Sequence, residues 1–355
     1  MEIIFVCTRS ITFNTFLSSQ AEYLSKKGYK IKIACSDTEN LIFKKSLNYK
    51  IDFPTKYIHL INIFRFIKIF FQINEIVKNN KSSKFYLHTP VASYLFRFFT
   101  MFNKIKILYF VHGFRFTSKT TRKRAIIYKF IEKFLSFNTN VYITINNEDY
   151  NYAKNNLYKK VPIFKINGVG LDLKKKIPNL KFKYSIKNIL VVAGYKRSKG
   201  YDNLIKAAEL LKNKKLRIDC YGYGNFSKYN LIKLKKNLKN IHFKKFNLNL
   251  KKKIRKYDIL LHLSKREGLP VAIMESLIEG LPVICNRIRG NVDLIKDNYN
   301  GLFVRSFKDV PNKICYLNLE IKIFNKMRKN ALKTIDQSYS KMNVNKSIYK
   351  IVKSI

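Results

Sequence analysis

The chain of 355 residues is long for one hydrophobic core and suits two domains of roughly 170 residues each. Its 46% hydrophobic and 14% aromatic residues can fill two such cores, which excludes a disordered chain. The 71 Lys and Arg against 22 Asp and Glu give a net charge of +49. This charge indicates either a polyanionic partner (nucleic acid, anionic lipid or a phosphorylated substrate) or an AT-rich coding bias that spreads lysines along the chain.

The cysteines and the N-terminus favour a cytoplasmic protein. Five isolated cysteines without a C-x-x-C pair are typical of thiols in a reducing compartment, and they form neither a disulfide framework nor a zinc site. Residues 1–7 predict a first strand, because they lack the basic lead and the cleavage site of a signal peptide. No window reaches 18 uncharged apolar residues, so we expect a soluble or peripheral protein without a spanning helix.

Strands and helices alternate along the first half of the chain. A strand over residues 3–7 precedes a helix near 13–27, and Gly28 separates that helix from a strand over 29–36. Further short apolar runs predict strands over residues 85–88, 105–111 and 141–145. This alternation is typical of a doubly wound parallel sheet.

A second alternating series begins near residue 188. Strands are predicted over residues 188–193, 216–221, 241–243 and 259–263, with helices near 201–211 and 227–238. Between the two series, residues 173–184 are Lys-rich and aperiodic, as expected of a linker. Residues 325–355 predict a terminal helix.

Three segments of the first half mix Phe, Ile and Leu with Lys or Arg, namely residues 61–76, 94–110 and 122–137. Each is interpreted as an amphipathic helix. Such a helix either lies on an anionic membrane surface or packs its apolar side on the core and leaves its lysines in water. The sequence leaves both interpretations open.

A turn and a short helix near residue 270 carry the most informative motif. Glu267 begins a Glu-Gly-Leu-Pro turn, and Glu275 follows eight residues later on the predicted helix. Pro270 suits the first helical position, and Gly280 suits the positive-φ residue beyond the helix end. Residues 282–285 then predict a buried parallel strand. Two carboxylates and a helix N-terminus facing one crevice suit a ligand with hydroxyls and phosphates.

A basic loop follows the first strand of the second series. Residues 192–200 read Val-Ala-Gly-Tyr-Lys-Arg-Ser-Lys-Gly, a strand end and a Gly-containing loop before a helix. Fixed cations there would suit a ligand that carries phosphates. Loop lysines are also common in a chain this basic, so a purely structural interpretation of the loop stays open.

The E-x7-E spacing of Glu267 and Glu275, with Gly-Leu-Pro after the first Glu, resembles the retaining glycosyltransferases of family 4. The resemblance implies the GT-B fold, in which two Rossmann-like domains face a cleft and the C-terminal helix crosses back to the first domain. It implies an acceptor-binding domain over residues 1–172 and a linker over 173–184. A nucleotide-sugar-binding domain over 185–325 and a returning helix over 326–355 would follow.

The resemblance also assigns roles within the second domain. Glu275 resembles the residue that accepts hydrogen bonds from the ribose hydroxyls, and Glu267 resembles the catalytic-site residue near the donor sugar. Lys199 is similar to the diphosphate ligand. Many relatives carry an Arg where Gly194 stands, so Arg197 or its neighbour Lys196 would take that role here. The donor-binding positions implied are Arg197, Lys199, Gly268, Leu269, Pro270, Val271 and Glu275.

The histidines divide by their position. His112 follows a first-domain strand in a Val-His-Gly-Phe segment and resembles the family histidine that faces the donor sugar, so we predict a catalytic role for it. His88 holds a similar place after another strand and is a weaker candidate. We interpret the remaining histidines as structural: His59, His242 and His262.

Cofactor motifs are missing from the sequence. There is no D-x-D motif and no His/Asp cluster, so we predict that the reaction needs no metal and no cofactor beyond the nucleotide-sugar co-substrate. The first βα loop, residues 8–14, lacks a Gly-rich turn and carries hydroxyls and Asn14 instead.

The resemblance is to bacterial enzymes of capsule, O-antigen or exopolysaccharide assembly. It implies a hexosyltransferase with a UDP-sugar donor and a saccharide acceptor on undecaprenyl diphosphate, peripheral at the inner face of the plasma membrane. Retention would proceed by attack on the face that the diphosphate leaves. One alternative is a basic nucleic-acid- or polyanion-binding protein with an inactive cleft, although Glu267 and Glu275 would repel a polyanion. Another is a transferase that uses a GDP-sugar or a lipid-phosphate sugar.

Overall fold

The structure, a computed structural model, consists of two compact units. It describes residues 1–43, 47–54, 62–118, 120–173, 179–247 and 250–355, apart from the side chains of residues 251 and 252. One unit contains Met1–Gly170 and Lys341–Ile355, and the other contains Leu171–Ser340. The predicted linker falls partly outside the described residues, at 174–178.

The first unit is built on a seven-stranded parallel sheet. Its strands are β1 Glu2–Val6, β2 Lys30–Cys35, β3 Leu47–Lys50, β4 Lys84–His88, β5 Lys106–Val111, β6 Val141–Thr144 and β7 Ile163–Lys165. They pair in the order β3-β2-β1-β4-β5-β6-β7. The central strands are buried on both faces, which explains their continuous apolar runs.

Helices cover both faces of this sheet. They are α1 Ser10–Thr12, which continues through a π-helical turn Phe13–Leu17 into α2 Ser18–Lys26, then α3 Ile63–Lys78, α4 Pro90–Phe99, α5 Arg122–Leu135 and α6 Asn147–Asn156. Side chains of α3, α4 and α5 share one core with alternate residues of the strands, for example Ile69 and Phe96 with Phe85 and Leu87. These three helices therefore form one layer.

The segment over residues 94–110, expected as an amphipathic helix, is not one. It contains the end of α4, a turn after Thr100 and most of β5. The Thr100 hydroxyl donates to the Phe96 carbonyl at 2.7 Å, and the Asn103 amide donates to the Thr100 carbonyl, so the chain turns here into the sheet. The prediction was wrong because a helix end and a buried strand have together the same apolar content as a longer helix.

The second unit contains a six-stranded parallel sheet. Its strands are β8 Asn188–Val192, β9 Arg217–Gly222, β10 Ile241–Lys245, β11 Ile259–His262, β12 Val283–Asn286 and β13 Gly301–Val304, in the order β10-β9-β8-β11-β12-β13. Its helices are α7 Tyr201–Leu210, α8 Ser227–Lys235, α9 Leu250–Lys253, α10 Val271–Leu277, α11 Asn291–Leu294, α12 Val310–Leu319 and α13 Ile321–Thr334. Both sheets have the Rossmann order, as predicted.

The predicted terminal helix is interrupted. α13 ends at Thr334, a 3₁₀ turn spans Gln337–Tyr339, and a separate helix α14 spans Lys341–Lys353. The Asp336 carboxylate accepts from the Ser338 amide at 2.8 Å, a local bond that competes with helix formation. The break assigns residues up to 340 to the second unit and α14 to the first.

α14 completes the first unit. The Asn345 side chain donates to the Ser19 carbonyl on α2 at 3.1 Å. The buried Lys84 ammonium at the start of β4 donates to the Val352 carbonyl at 2.6 Å, where a cation opposes the negative end of the helix dipole. The predicted return of the terminal helix to the first domain is confirmed. No helix among the described residues is long and apolar enough to cross a bilayer.

Candidate active site

The candidate site lies at the carboxyl edge of the second sheet. β8 and β11 are neighbours, but the chain continues from β8 to β9 on one side and from β11 to β12 on the other. The strand order therefore reverses between β8 and β11, and open parallel sheets bind their ligands at such a point. The basic loop follows β8, and the turn that begins at Glu267 follows β11.

Lys199 and Glu267 meet across this point. The Lys199 ammonium lies 2.7 Å from Glu267 Oε1 and 2.9 Å from Oε2, so it bridges the whole carboxylate. The Glu267 side chain is 10% exposed and that of Lys199 31%. The structure thus brings together two of the predicted site residues that stand 68 positions apart in the sequence.

His262, interpreted above as structural, belongs to the same cluster. It is the last residue of β11, it is buried, and its Nε2 lies 3.2 Å from Glu267 Oε1. The approach is close, although its direction falls short of a well-aligned hydrogen bond. The signal available in the sequence was its place at the carboxyl end of a buried strand, five residues before Glu267.

The surroundings of Glu267 keep its carboxylate ionised. Burial by itself would raise the pKa of Glu267. The imidazole of His262 and the ammonium of Lys199 act in the opposite direction and prevail, lowering the pKa of Glu267 to about 2. At neutral pH this group is therefore a hydrogen-bond acceptor and carries no proton to donate.

Residues at the end of β12 and directly after it fix the segment that carries Glu267. The buried Arg289 donates from Nε to the Glu267 carbonyl at 2.9 Å. Gly290 has φ +78°, and a Cβ built there would lie 2.1 Å from the Gly268 carbonyl oxygen. The Asn286 side chain donates to the Leu263 carbonyl at 2.9 Å. Sequence reasoning missed Arg289, because only the pairing of β11 with β12 places its loop beside this turn.

Helix α10 carries Glu275 and ends in a C-terminal capping motif. Gly280 has φ +74°. Its amide donates to the Leu277 carbonyl at 3.0 Å, and the Leu281 amide donates to the Ser276 carbonyl at 3.0 Å, the two bonds of a Schellman motif. The role predicted for Gly280 is confirmed. Glu275 is half-buried on this helix.

Pro270 lies one position earlier than predicted. The helix begins at Val271, and Pro270 caps it with extended backbone, φ −74° and ψ 113°. Its carbonyl accepts the Ile273 amide at 3.1 Å. Leu269 and Pro270 are buried, whereas Gly268 and Val271 are half-buried.

The other basic loop residues do not join the cluster. The Arg197 side chain is 81% exposed and pairs with Asp202 at 3.2 Å. Lys196 is exposed as well. Gly194 has open space: the nearest contact of a Cβ built there is the Tyr223 carbonyl oxygen at 3.7 Å. The structure therefore brings Lys199, and not Arg197, into contact with Glu267.

The two candidate histidines of the first unit are in contact. His112 follows β5 and is half-buried, whereas His88 ends β4 and is fully buried. His88 Nδ1 and His112 Nε2 share a hydrogen bond of 3.2 Å. Burial lowers the pKa of His112 to about 4. Of the remaining histidines, His242 lies on β10 and His59 lies outside the described residues.

The loop after β1 is lined by hydroxyls, as the sequence indicated. The Thr8 and Thr89 hydroxyls lie 2.7 Å apart, at the ends of the neighbouring strands β1 and β4. Within the described ranges, no three His, Cys, Asp or Glu side chains are grouped to hold a metal ion.

Two family models match the chain. The model described as "Glycosyl transferases group 1" matches residues 174–334, and the one described as "Glycosyl transferase 4-like" matches residues 3–146. The second match lies in the first unit. The first match lies in the second unit, apart from residues 174–178, which are outside the described residues. Together the two matches span most of the chain.

Two curated relatives are glycosyltransferases. Over 359 residues the chain is 26% identical to the UDP-Gal:alpha-D-GlcNAc-diphosphoundecaprenol alpha-1,3-galactosyltransferase of Escherichia coli, with 93% of this chain and 89% of the relative covered. Over 300 residues it is 26% identical to the N,N'-diacetylbacillosaminyl-diphospho-undecaprenol alpha-1,3-N-acetylgalactosaminyltransferase of Campylobacter jejuni, with 76% and 77% covered.

A solved structure supports the fold class. HepE of Anabaena, in complex with UDP and glucose, has a TM-score of 0.75 to this chain at 12% identity, and the alignment covers 100% of both chains. At this identity the likeness concerns the fold, and the predicted GT-B class is confirmed.

Proposed function

The chain belongs to the glycosyl transferases group 1, the retaining family 4 of GT-B glycosyltransferases, and we propose that it transfers a hexosyl group from a UDP-sugar to a saccharide on undecaprenyl diphosphate. Both matching family models and the two relatives described above are glycosyltransferases, so the alternative of a polyanion-binding protein is not supported. The names of the two relatives support an undecaprenyl-linked acceptor, and that of the Escherichia coli enzyme supports a UDP-linked donor.

The observation that carries this proposal is the Lys199–Glu267 pair at the point where the strand order reverses. A nucleotide-sugar has a diphosphate and a polyhydroxylated ring next to each other. A cation beside an ionised carboxylate offers one group for each, because the ammonium donates to phosphate oxygens and the carboxylate accepts from hydroxyls.

The same pair suits the chemistry. Lys199 would neutralise the charge that develops on the departing diphosphate, where electrostatic stabilisation is most effective. Glu267, with a pKa of about 2, would stay ionised and accept from the sugar hydroxyls throughout the reaction. The acceptor would attack from the face that the diphosphate leaves, and the departing oxygen would take the acceptor proton. In this proposal the chain needs no metal, since Lys199 supplies the positive charge.

Thermal unfolding with nucleotides tests the donor site. We expect UDP to raise the melting temperature by a degree or more, since a ligand at ten times its Kd adds about 1.4 kcal/mol. GDP and ADP should have a smaller effect. Lys199→Met and Glu275→Gln should each abolish the UDP effect, whereas the exposed Lys212→Met and the surface Glu209→Gln should keep it. Equal shifts with all three nucleotides, or none, would overturn the proposed donor.

Turnover tests the reaction itself. Purified protein is incubated with each of several UDP-hexoses and a saccharide on a short-chain prenyl diphosphate, and both UDP release and the mass of the lipid product are measured. We expect a product one hexose heavier, with the anomeric configuration of the donor, and the same rate with EDTA present. A product of inverted configuration, or a rate lost with EDTA, would contradict the mechanism.

We also propose that the layer of α3, α4 and α5 contacts an anionic membrane. Of the eleven phenylalanines that the described residues expose, eight lie between residues 64 and 137. On α5 the apolar residues Ile126, Ile127, Phe130 and Phe134 are all exposed, at 43% to 69%. An ordinary helix on a core would turn such residues inward, so the interpretation as a purely core-facing helix does not explain them.

The charges around these residues suit a bilayer with anionic lipids. Exposed cations stand beside the apolar residues on α5, namely Arg122, Lys123, Arg124, Lys129 and Lys133. Apolar side chains at the lipid boundary flanked by Lys and Arg are typical of helices that lie on a membrane. Such a surface in the first unit, the acceptor-binding domain of the family, would hold the enzyme at the cytoplasmic face, where a lipid-linked acceptor is found.

Vesicle flotation tests this surface. We expect the protein to float with equimolar phosphatidylglycerol–phosphatidylcholine vesicles and not with phosphatidylcholine alone. Ile127→Ser with Phe130→Ser should reduce binding, while Leu231→Ser with Leu234→Ser on α8, which are equally exposed, should not. Equal losses in both double variants would mean that binding is non-specific and would overturn the assignment to α5.

A further inference from the structure

His88 and His112 form a pair in which only one ring meets solvent. Their hydrogen bond joins His88 Nδ1 to His112 Nε2 at 3.2 Å. Because Nε2 of His112 is engaged, only Nδ1 of that ring is left for a ligand. His112 is half-buried, and none of the described residues hydrogen-bonds its Nδ1.

Aromatic rings hold His88 in place. Its ring stacks on Phe5 with centroids 5.7 Å apart and an interplanar angle of 6°. Tyr86 packs at 4.3 Å and Phe110 at 5.4 Å. His88 is fully buried, and within the described chain its Nε2 has no hydrogen-bond partner. The ring therefore has one polar contact, the bond to His112, and is otherwise packed against aromatic rings.

This geometry distinguishes the two ways of placing the shared proton. If His112 donated from Nε2, His88 would carry its own proton on Nε2, and a buried N–H would be left without an acceptor. If His88 donates from Nδ1, its Nε2 is a bare lone pair. Buried donors without partners are rarer than buried acceptors without partners, so the second arrangement is favoured.

We infer that His88 is a positioning residue that donates from Nδ1 to His112 Nε2 and thereby fixes His112 as the Nδ1–H tautomer, a hydrogen-bond donor to the substrate. The inference rests on the proposed function in one respect, namely that His112 faces the donor sugar. Since both rings are held neutral by burial, which lowers the pKa of each, the arrangement persists across the physiological range.

The consequence concerns the part that His112 can play. A neutral imidazole with its proton on Nδ1 and its Nε2 engaged has no free basic nitrogen. His112 would thus donate a hydrogen bond to a hydroxyl or ring oxygen of the bound sugar and would not remove a proton from the acceptor. This agrees with a retaining reaction in which the departing diphosphate takes that proton.

Nitrogen NMR of the histidine rings tests the tautomer directly. The protein is labelled with ¹⁵N-histidine, and the His112 signals are assigned by comparison with His112→Asn. In the native protein at pH 7 we expect the protonated nitrogen of His112 to be Nδ1. A proton on Nε2 of His112 would overturn the inference, and this measurement needs no variant of His88.

A variant tests whether His88 is the cause. His88→Phe keeps an aromatic ring among Phe5, Tyr86 and Phe110 but removes the donor. In this variant we expect His112 to revert to the Nε2–H tautomer, which the neutral histidine side chain prefers in water. An unchanged Nδ1–H tautomer would mean that His88 does not set it. If His88→Phe fails to fold, the native spectrum alone decides the proton position.

Kinetics separate this inference from the proposed function. His88→Phe should lower kcat for transfer by about tenfold, as expected when one hydrogen bond is lost in the transition state, with the Kd for UDP unchanged because UDP lacks the sugar. A weakened Kd for UDP in this variant would indicate a general structural defect and contradict a positioning role. Absence of UDP binding in the native protein would instead refute the proposed donor and leave the tautomer result standing.

Discussion

Glu267 is the residue whose environment is most consequential at the candidate site. It is nearly buried, yet Lys199 and His262 lower its pKa from the ordinary 4.5 to about 2. A carboxylate whose folded pKa is depressed stabilises the folded state above the unfolded pKa, and this stabilisation is lost as the pH falls through the folded value. One pKa unit corresponds to about 1.4 kcal/mol, so the contribution is on the order of 3 kcal/mol at neutral pH.

We therefore expect the stability of the native protein to fall relative to that of Glu267→Gln as the pH is lowered. The difference in unfolding free energy should be largest above pH 5 and should drop by roughly half by pH 3, because the glutamine side chain of the variant cannot titrate. Urea unfolding at a series of pH values measures it. As a control, Glu209→Gln removes a carboxylate from a surface ion pair, and its plot of unfolding free energy against pH should run parallel to that of the native protein. A parallel plot for Glu267→Gln as well would contradict the lowered pKa of Glu267.

Sequence reasoning recovered the site residues that are close to a motif and missed those supplied by a neighbouring strand. Lys199 and Glu267 stand in loops whose composition indicates a ligand. His262 and Arg289 depend on which strands are adjacent, and strand order is set by the packing of the whole sheet. Thr89 is similar: its φ of +64°, rare for a β-branched residue, could not be read from the residues around it.

At the scale of elements, Gly200 is a point where the loop after β8 passes close to the residue that follows β11. It has φ +79°, and a Cβ built there would lie 2.0 Å from the Leu263 carbonyl oxygen. Gly200→Ala must therefore displace backbone as well as adopt a left-handed conformation. We expect it to separate the two loops and to weaken UDP binding together with stability.

Two other glycines provide graded controls for Gly200→Ala. Gly28 has φ +86° and open space, so Gly28→Ala should cost only the left-handed strain, about 1 kcal/mol. Gly194 has neither a positive φ nor a close neighbour, so Gly194→Ala should be nearly neutral. The denaturant midpoint should be lowest for Gly200→Ala, intermediate for Gly28→Ala and highest for Gly194→Ala. A Gly200→Ala variant as stable as Gly28→Ala would refute the close approach.

A buried ion pair joins α5 to α4. Arg97 Nη2 lies 3.0 Å from Glu132 Oε2, both side chains are 0% exposed, and Arg97 Nη1 donates to the Tyr142 hydroxyl at 2.6 Å. Glu132→Ala leaves a buried cation without its carboxylate and should cost about 3–5 kcal/mol. We expect urea unfolding to show this loss.

A double variant and a surface control distinguish the pair from simple packing. Arg97→Met with Glu132→Leu removes both charges and should lose less stability than Glu132→Ala alone. Glu209→Gln, which breaks the exposed pair with Lys236, should cost less than about 1 kcal/mol. A double variant at least as destabilised as Glu132→Ala would contradict this explanation. It would mean that the loss in Glu132→Ala does not come from leaving the buried charge of Arg97 unpaired.

The whole molecule shows why the alternation of strands and helices sufficed for the fold class. Both sheets are parallel, so each strand needs a crossover, and right-handed crossovers leave few strand orders. The boundary between the second unit and the returning helix was harder to predict from the sequence. α13 and α14 have the same helical pattern, and only the turn at Gln337–Tyr339 separates them. The last helix consequently belongs to the unit in which the chain began.

The net charge of +49 belongs to this scale, because lysines cover both units. If coding bias alone explains it, any four exposed cations should contribute equally to binding an anionic membrane. If the layer of α3, α4 and α5 is the contact, the exposed cations of α5 should contribute most of the electrostatic binding energy. Each Lys or Arg at a bilayer contributes about 1 kcal/mol, and the effect fades within a Debye length of about 10 Å at 0.1 M salt. The two explanations therefore differ in where charge matters, and not in how much of it there is.

Two quadruple variants with equal changes in charge separate these explanations. The first replaces residues of α5 with Gln: Arg122, Lys123, Arg124 and Lys133. The second replaces exposed lysines of the second unit: Lys212, Lys214, Lys235 and Lys239. We expect the first to lower the affinity for phosphatidylglycerol vesicles by roughly a hundredfold or more at 0.1 M salt, and the second to change it little. Titration into vesicles measures both. Equal losses would identify the charge as a general property of the chain, and the membrane-facing surface would then have to be sought in the apolar residues alone.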